Sequence, residues 1–273
     1  MADPRPGDSL FDLTGKVAIV TGGGQGIGRS LVHGLAAHRA SVVIADVAGA
    51  AAGHVAEEVE ATGGTALPVP TDVTRPEEVD RLVELTVRHF GTLDILVNNA
   101  GGGRKAGGAT ESLSFESWLD TFDLTVNSAF LCAQRAGRVM IRQRSGKIIN
   151  VASVYGLLGH NPALYAPRSN GEPAESIAYA AAKGAVVNFT RALAVYWARY
   201  HINVNAVAPG MVQTERLATS VDAETWERLA ERTPLRRPAT PDDLRGAVIY
   251  LASAAADFVT GQILVVDGGW TAW

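Results

Sequence analysis

Short apolar runs, rich in β-branched residues, punctuate the chain at regular intervals: KVAIV (16–20), SVVIA (41–45), TALPV (65–69), LDILVN (93–98), GKIINV (146–151), INVNAV (202–207) and QILVV (262–266). Most are nearly continuous rather than alternating, the pattern of parallel strands buried on both faces. Between them lie alanine-rich stretches of helical period near 27–39, 49–62, 76–89, 115–140, 177–199 and 241–253. Two helix starts are marked by Thr74-Arg75-Pro76-Glu77 and Thr240-Pro241-Asp242-Asp243, a cap followed by a first-turn proline. Strand and helix alternate throughout, and no linker or repeat divides them. The pattern predicts one α/β domain over 1–273, a doubly wound, seven-stranded, mostly parallel sheet flanked by helices. Ligands in such sheets bind beyond the carboxyl ends of the strands.

Composition removes several classes of function. A formal charge of −4 over 273 residues gives no electrostatic reason to expect nucleic acid. Cys132 is the only cysteine, which excludes an intrachain disulfide or a multi-cysteine zinc site. The six histidines (His33, His38, His54, His89, His160 and His201) show no metal-ligand spacing, so no metal is expected. Residues 1–12 are polar and proline-rich and read as a loose N-terminal arm without a signal core. No apolar run approaches the ~18 residues needed to span a bilayer. The expectation is a cytoplasmic protein that does not engage membranes.

The first strand runs into Thr21-Gly22-Gly23-Gly24-Gln25-Gly26-Ile27-Gly28-Arg29. Gly22, Gly26 and Gly28 are spaced GxxxGxG rather than GxGxxG, but the physics is shared. Glycines allow a tight turn and a close backbone approach to a pyrophosphate, and the following helix offers free N–H groups. Asp46 ends the second strand, where a carboxylate can bind both ribose hydroxyls of NAD and repel the 2′-phosphate of NADP. Gln25 stands where a cation would receive that phosphate, with Arg29 as the one competing candidate. NAD is therefore expected over NADP.

Tyr179 and Lys183 are four apart in SIAYAAAKGAVVNFT and share a helix face. A free tyrosine titrates at about 10, and a nearby cation favours the phenolate. Bringing it to about 7 takes roughly 4 kcal/mol, to which Lys183 and the positive ring of an oxidised nicotinamide would contribute. Tyr155 and Tyr165 have no lysine four residues on and are weaker candidates for a base.

The chain resembles the short-chain dehydrogenase/reductase family. The likeness rests on TGGGQGIG (21–28), Asp72-Val73, Asn98-Asn99-Ala100-Gly101, Asn127, Ser153, Tyr179-x-x-x-Lys183, Pro209-Gly210 with Thr214, and TGQILVVDGG (260–269). It implies a Rossmann-type fold and a set of roles. Tyr179 is the acid/base, Lys183 lowers its pKa and holds the nicotinamide ribose, Ser153 hydrogen-bonds the substrate oxygen, and Asn127 keeps a relay water near Lys183. Asp72 and Val73 contact adenine, Asn99, Ala100 and Gly101 line the ribose, and Val212 and Thr214 hold the carboxamide. A homotetramer is also implied. The stretch between Ser153 and Tyr179 is longer than usual in the family. Its added residues, 159–175, fall within an extended active-site loop (156–178) from which His160, Asn161, Tyr165 and Arg168 could reach substrate. Arg104 and Lys105 could do so from the mouth, favouring an anionic substrate. Residues 212–238 read as a lid whose apolar inner face includes Met211, Leu217 and Trp226. Trp270 and Trp273 need cover from the chain or from a neighbour. The expected activity is hydride transfer between NAD(H) and a secondary alcohol or ketone, with a polyol, sugar or sugar acid in view. The alternatives are an NADP(H)-dependent reductase of 3-oxoacyl thioesters and a catalytically silent NAD-binding regulator.

Overall fold

The computed structural model describes residues 10–102, 110–161, 164, 177–219 and 221–273. Its strands are β1 (Val17–Thr21), β2 (Ser41–Asp46), β3 (Thr65–Pro70), β4 (Ile95–Asn98), β5 (Gly146–Val151), β6 (Ile202–Pro209) and β7 (Ile263–Val266). They form one sheet in the order β3-β2-β1-β4-β5-β6-β7, and every neighbouring pair is parallel. The strand order reverses between β1 and β4, which opens a crevice at their carboxyl ends. β1 is buried at every position, as its unbroken apolar run requires. Pro68 and Pro70 lack an N–H to give, and β3 sits at the sheet edge where that loss is tolerated.

Helices cover both faces. On one side α1 (Gly26–Ala37), α2 (Gly49–Ala61) and α9 (Arg245–Ala252) pack Leu31, Leu35, Val55, Val59 and Val248 against Val20, Val42 and Ile44. On the other, α3 (Pro76–Phe90) and α5 (Ser128–Gln143) pack Val79, Leu82, Ala136 and Met140 against Ile19, Val43 and Leu96. Fully burying a side chain of this size contributes roughly 1.5–3 kcal/mol, so each layer is well anchored. α6 (Ile177–Trp197) lies over β5 and β6, with Val186 and Val187 against Ala152, Ala206 and Ala208.

Three local expectations change. The single helix expected over 115–140 is α4 (Phe115–Phe122), a π-helical turn (Asp123–Asn127) and α5. The Ser128 N–H bonds the Asp123 carbonyl five residues back, while the Ser128 hydroxyl donates to the Leu124 carbonyl at 2.7 Å. Thr74 does not cap α3; its N–H and hydroxyl both donate to the Asp72 carboxylate, and Arg75 precedes the first-turn Pro76. At the other marked start, Asp243 accepts from the N–H and hydroxyl of Thr240, but the first turn, Pro241–Leu244, is 3-10. The described end of the arm is tied down, because the Leu10 carbonyl accepts from the Ala255 N–H. Among the described residues no helix is long and apolar enough to cross a membrane.

Candidate active site

The crevice begins with the turn from β1 into α1. Gly22 and Gly26 have φ of +62° and +52°, left-handed values that glycine adopts without strain. A Cβ on Gly28 would fall 1.9 Å from the Gly22 carbonyl oxygen, so the helix start and the turn touch backbone to backbone. The end of β4 clamps this turn. Asn99 Nδ2 donates to the carbonyls of Thr21 (2.9 Å) and Gly22 (3.1 Å), and the N–H groups of Asn99 and Ala100 both donate to Thr21 Oγ1 at 3.0 Å. Gln25 places no side-chain cap on α1, its first turn carries no acid, and Gly26, Ile27 and Gly28 of that turn line the cleft, an arrangement suited to an anion.

Asp46 ends β2 at 6% exposure. Its two carboxylate oxygens accept from the N–H groups of Gly24 and Ala48, each at 2.9 Å. Arg29, the competing cation, is held by Glu58 through two hydrogen bonds of 2.9 and 2.7 Å. That contact holds the Glu58 carboxyl at about 2, below its ordinary value. The cavity here, about 400 Å³, is lined by most of the residues expected to hold the cofactor: Gly22, Gln25, Gly26, Ile27, Gly28, Asp46, Asp72, Val73, Asn99, Ala100, Gly101 and Thr214. Val47, Thr71, Leu124 and Glu215 complete it and carry no motif that would single them out. Val212 is set back in the core, its backbone bridging to Ala239, while Thr214 caps α7 (Glu215–Ala218). The glycine contacts, the open helix start and the carboxylate fit a dinucleotide. A larger open groove of about 940 Å³ runs along α1 past Arg29, His33 and Arg245 but touches none of Ser153, Tyr179 or Lys183.

Ser153, Tyr179 and Lys183 come together at the edge of this cleft. Gly101 links the two halves: a Cβ there would lie 3.3 Å from Lys183 Nζ. Ser153 follows β5, is 6% exposed, and its Oγ accepts from the Tyr155 N–H at 3.2 Å. Its hydroxyl also hydrogen-bonds the Tyr179 phenol. Lys183 is 4% exposed, donates to the Val151 carbonyl at 2.6 Å, and stands 5.6 Å from the centre of the Tyr179 ring. Close packing of α6 makes this possible, since a Cβ on Gly156 would meet the Lys183 carbonyl oxygen at 2.6 Å.

The electrostatics differ from the expectation. Burial pushes the Tyr179 phenol above its ordinary value; the Ser153 bond pulls it down and the neighbouring Tyr155 pushes it up. Burial also lowers Lys183 from 10.5 to about 8. Lys183 therefore shares the desolvation of the group it was expected to activate.

Asn127 is exposed, and its amide donates to the Asp123 carboxylate rather than toward Lys183. Tyr155, a weaker candidate for the base, neighbours the site. Its ring stacks on His160 with centroids 3.8 Å apart, and its hydroxyl lies 3.9 Å from Met211 Sδ. Tyr165, Arg168, Arg104 and Lys105 lie outside the described residues. In the segment expected to form a lid, Met211, Leu217 and Trp226 gather with Leu164, Leu229 and Val221, Trp226 and Leu229 coming from α8 (Ala223–Arg232), and Trp270 packs against them and is partly buried. Trp273 is 80% exposed.

Residues 22–271 match the family model described as enoyl-(acyl carrier protein) reductase, one of the short-chain dehydrogenase/reductase models. The 5-keto-D-gluconate 5-reductase of Escherichia coli (strain K12) is 36% identical over 96% of this chain and 98% of its own length. The cis-4-hydroxycyclohexanecarboxylate dehydrogenase of Sinomonas cyclohexanicum is 40% identical over 94% of this chain and 97% of its own. A gluconate 5-dehydrogenase from Burkholderia cenocepacia J2315, solved with NADP and tartrate, superposes with a TM-score of 0.86 at 38% identity, covering 97% of this chain and 98% of that one. A 7α-hydroxysteroid dehydrogenase, solved with NADH and 7-oxo glycochenodeoxycholic acid, does so with a TM-score of 0.87 at 32% identity over 95% of this chain and 96% of that one. With a glycine-turn cleft, a Ser-Tyr-Lys group at its edge and relatives alike over nearly their whole length, the chain belongs to the short-chain dehydrogenase/reductase family of NAD(P)-dependent oxidoreductases.

Proposed function

We propose that this enzyme is an NAD-dependent dehydrogenase interconverting a secondary alcohol and its ketone on a small hydroxy-acid or sugar-acid substrate, with Tyr179 as the acid/base. The observation that carries this reading is the meeting of Ser153, Tyr179 and Lys183 where Gly101 joins them to the dinucleotide-shaped cleft. The bound nicotinamide supplies the hydride acceptor or donor. Tyr179 exchanges the proton with the substrate oxygen. Ser153, already bonded to that phenol, donates to the same oxygen as charge develops on it. Lys183, cationic below about 8, opposes the burial that holds the Tyr179 proton in place.

Three further points support the finer parts of the reading. Asp46 at the end of β2 and the engagement of Arg29 by Glu58 favour NAD over NADP. Similarity to the keto-gluconate reductase and to the cyclohexanecarboxylate dehydrogenase favours a carboxylate-bearing substrate. Exposed Phe115, Leu119, Phe130, Val195 and Tyr196, on α4, α5 and α6, favour a homotetramer.

A panel of polyols, sugar acids, hydroxy acids and 3-oxoacyl thioesters, followed at the nicotinamide absorbance with both cofactors, tests this reading. The expected result is turnover of a carboxylate-bearing alcohol with kcat/KM at least about tenfold higher for NAD, a preference of about 1.4 kcal/mol. Asp46→Ser narrows that ratio to less than about threefold by removing the charge facing a 2′-phosphate. An NADP preference would overturn the Asp46 argument, thioester reduction would favour the reductase alternative, and cofactor binding without turnover would favour a silent regulator.

A further inference from the structure

The π-helical turn between α4 and α5 brings an unassigned side chain into the site. A turn closed by a bond five residues back holds one residue more than an α-turn, so residues on either side are rotated by about one residue's worth, roughly 100°. Leu124 thereby lines the cofactor cleft, Val126 packs toward α6, Asn127 faces outward, and Thr125 turns inward at 2% exposure. The Thr125 hydroxyl meets both backbone polar groups of Gly102: Oγ1 accepts from its N–H at 3.2 Å and lies 3.3 Å from its carbonyl oxygen, to which it donates. Gly102 has φ of +110°, a conformation without strain only for glycine. The preceding Gly101 lies against both groups, since a Cβ there would be 3.3 Å from Lys183 Nζ and 3.8 Å from Thr125 Oγ1.

We propose that Thr125 is a positioning residue: its hydroxyl, set by the π turn, clamps Gly102 and so fixes the Gly101–Gly102 corner against Lys183 at the nicotinamide end of the cleft. This rests on the nicotinamide reading of the site. The far end of the cleft, at Asp46 and Asp72, is held by other contacts and is independent of the clamp.

The test compares wild type with Thr125→Val, Thr125→Ala and Thr125→Ser by three measurements. Calorimetry reads the binding of AMP and of NAD, amide hydrogen exchange reads Gly102 in the cofactor-free protein, and steady-state kinetics on the best substrate of the panel separate kcat from KM. Thr125→Val and Thr125→Ala are expected to keep AMP affinity within about twofold, speed exchange at Gly102 at least about tenfold, weaken NAD binding by about fivefold and lower kcat by about tenfold, as the loss of one or two modest hydrogen bonds implies. Thr125→Ser restores all of these to within about threefold. Unchanged Gly102 exchange and NAD affinity in either variant, equal loss of AMP and NAD binding, or failure of serine to rescue would overturn the inference. Should one variant not fold, the other decides. Failure of wild type itself to bind NAD or NADP would sink the underlying reading of the site instead.

Discussion

Lys183 is a buried cation whose ammonium donates to the Val151 backbone carbonyl. Its fall from 10.5 to about 8 corresponds to an unfavourable contribution of about 3 kcal/mol to the folded state when charged. The charge-assisted bond to Val151 that its removal would delete is worth roughly 1.5 kcal/mol, so desolvation wins. Lys183→Met should therefore raise the Tm of the cofactor-free protein by roughly 4 °C, and calorimetry checks this. The same substitution should lower kcat by at least about 100-fold. The sign with pH follows from proton counting. Below about 8 both folded and unfolded chains hold the proton and the penalty is full. Between about 8 and 10.5 the unfolded chain holds more protons, so wild-type stability climbs with pH relative to Lys183→Met. A wild-type protein more stable than Lys183→Met at pH 7 would contradict this account of the site's electrostatics. The direction of the Tyr179 shift was not legible in the sequence: i,i+4 spacing gives proximity, whereas desolvation depends on what α6 packs against.

The turn from β1 into α1 is legible because close backbone contact leaves a residue signature. Where a Cβ cannot fit, only glycine stands, and Gly28 against Gly22 is such a place. Gly28→Ala should weaken cofactor binding by at least about tenfold and destabilise the protein by about 1–3 kcal/mol, checked by NAD titration and denaturant unfolding. Retained affinity with unchanged stability would mean that the turn does not approach the helix as described. The strand runs and most helix limits were likewise legible, since burial on both faces leaves unbroken apolar runs. The π turn was not. The Ser128 hydroxyl bonds a carbonyl four residues back there, but Thr86 and Thr190 make the same bond inside the uninterrupted α3 and α6, so no residue type marks the turn. The resemblance implied that Asn127 keeps a relay water near Lys183; its amide bonds Asp123 here, and Thr125 is the residue of this turn that the fold buries.

At the scale of the molecule, the alternation of strands and helices predicted the doubly wound sheet, and the residues of the site lie at the carboxyl ends of its strands or on the segments that follow them. Surface apolar groups are where one chain's sequence says least, because burial within the chain and burial between chains look alike. Trp270 is partly buried against the Trp226–Leu229 cluster, while among the described residues Trp273 and Phe115, Leu119, Phe130, Val195 and Tyr196 of α4, α5 and α6 are exposed. For the proposed homotetramer, sedimentation equilibrium should give four times the chain mass, and Phe130→Glu should shift it to smaller species by placing a charge in the proposed contact. A monomeric wild type would refute the tetramer.

Turnover by Tyr179→Phe, set beside its affinity for NAD, bears on the proposed chemistry most directly. Removing the hydroxyl proposed to exchange a proton with the substrate oxygen should lower kcat/KM for alcohol oxidation by at least about 1,000-fold, near the reach of general acid–base catalysis, with the Kd for NAD changed less than about threefold. Activity within about tenfold of wild type, with NAD still bound, would show that the proton leaves by another route and that Tyr179 is not the acid/base.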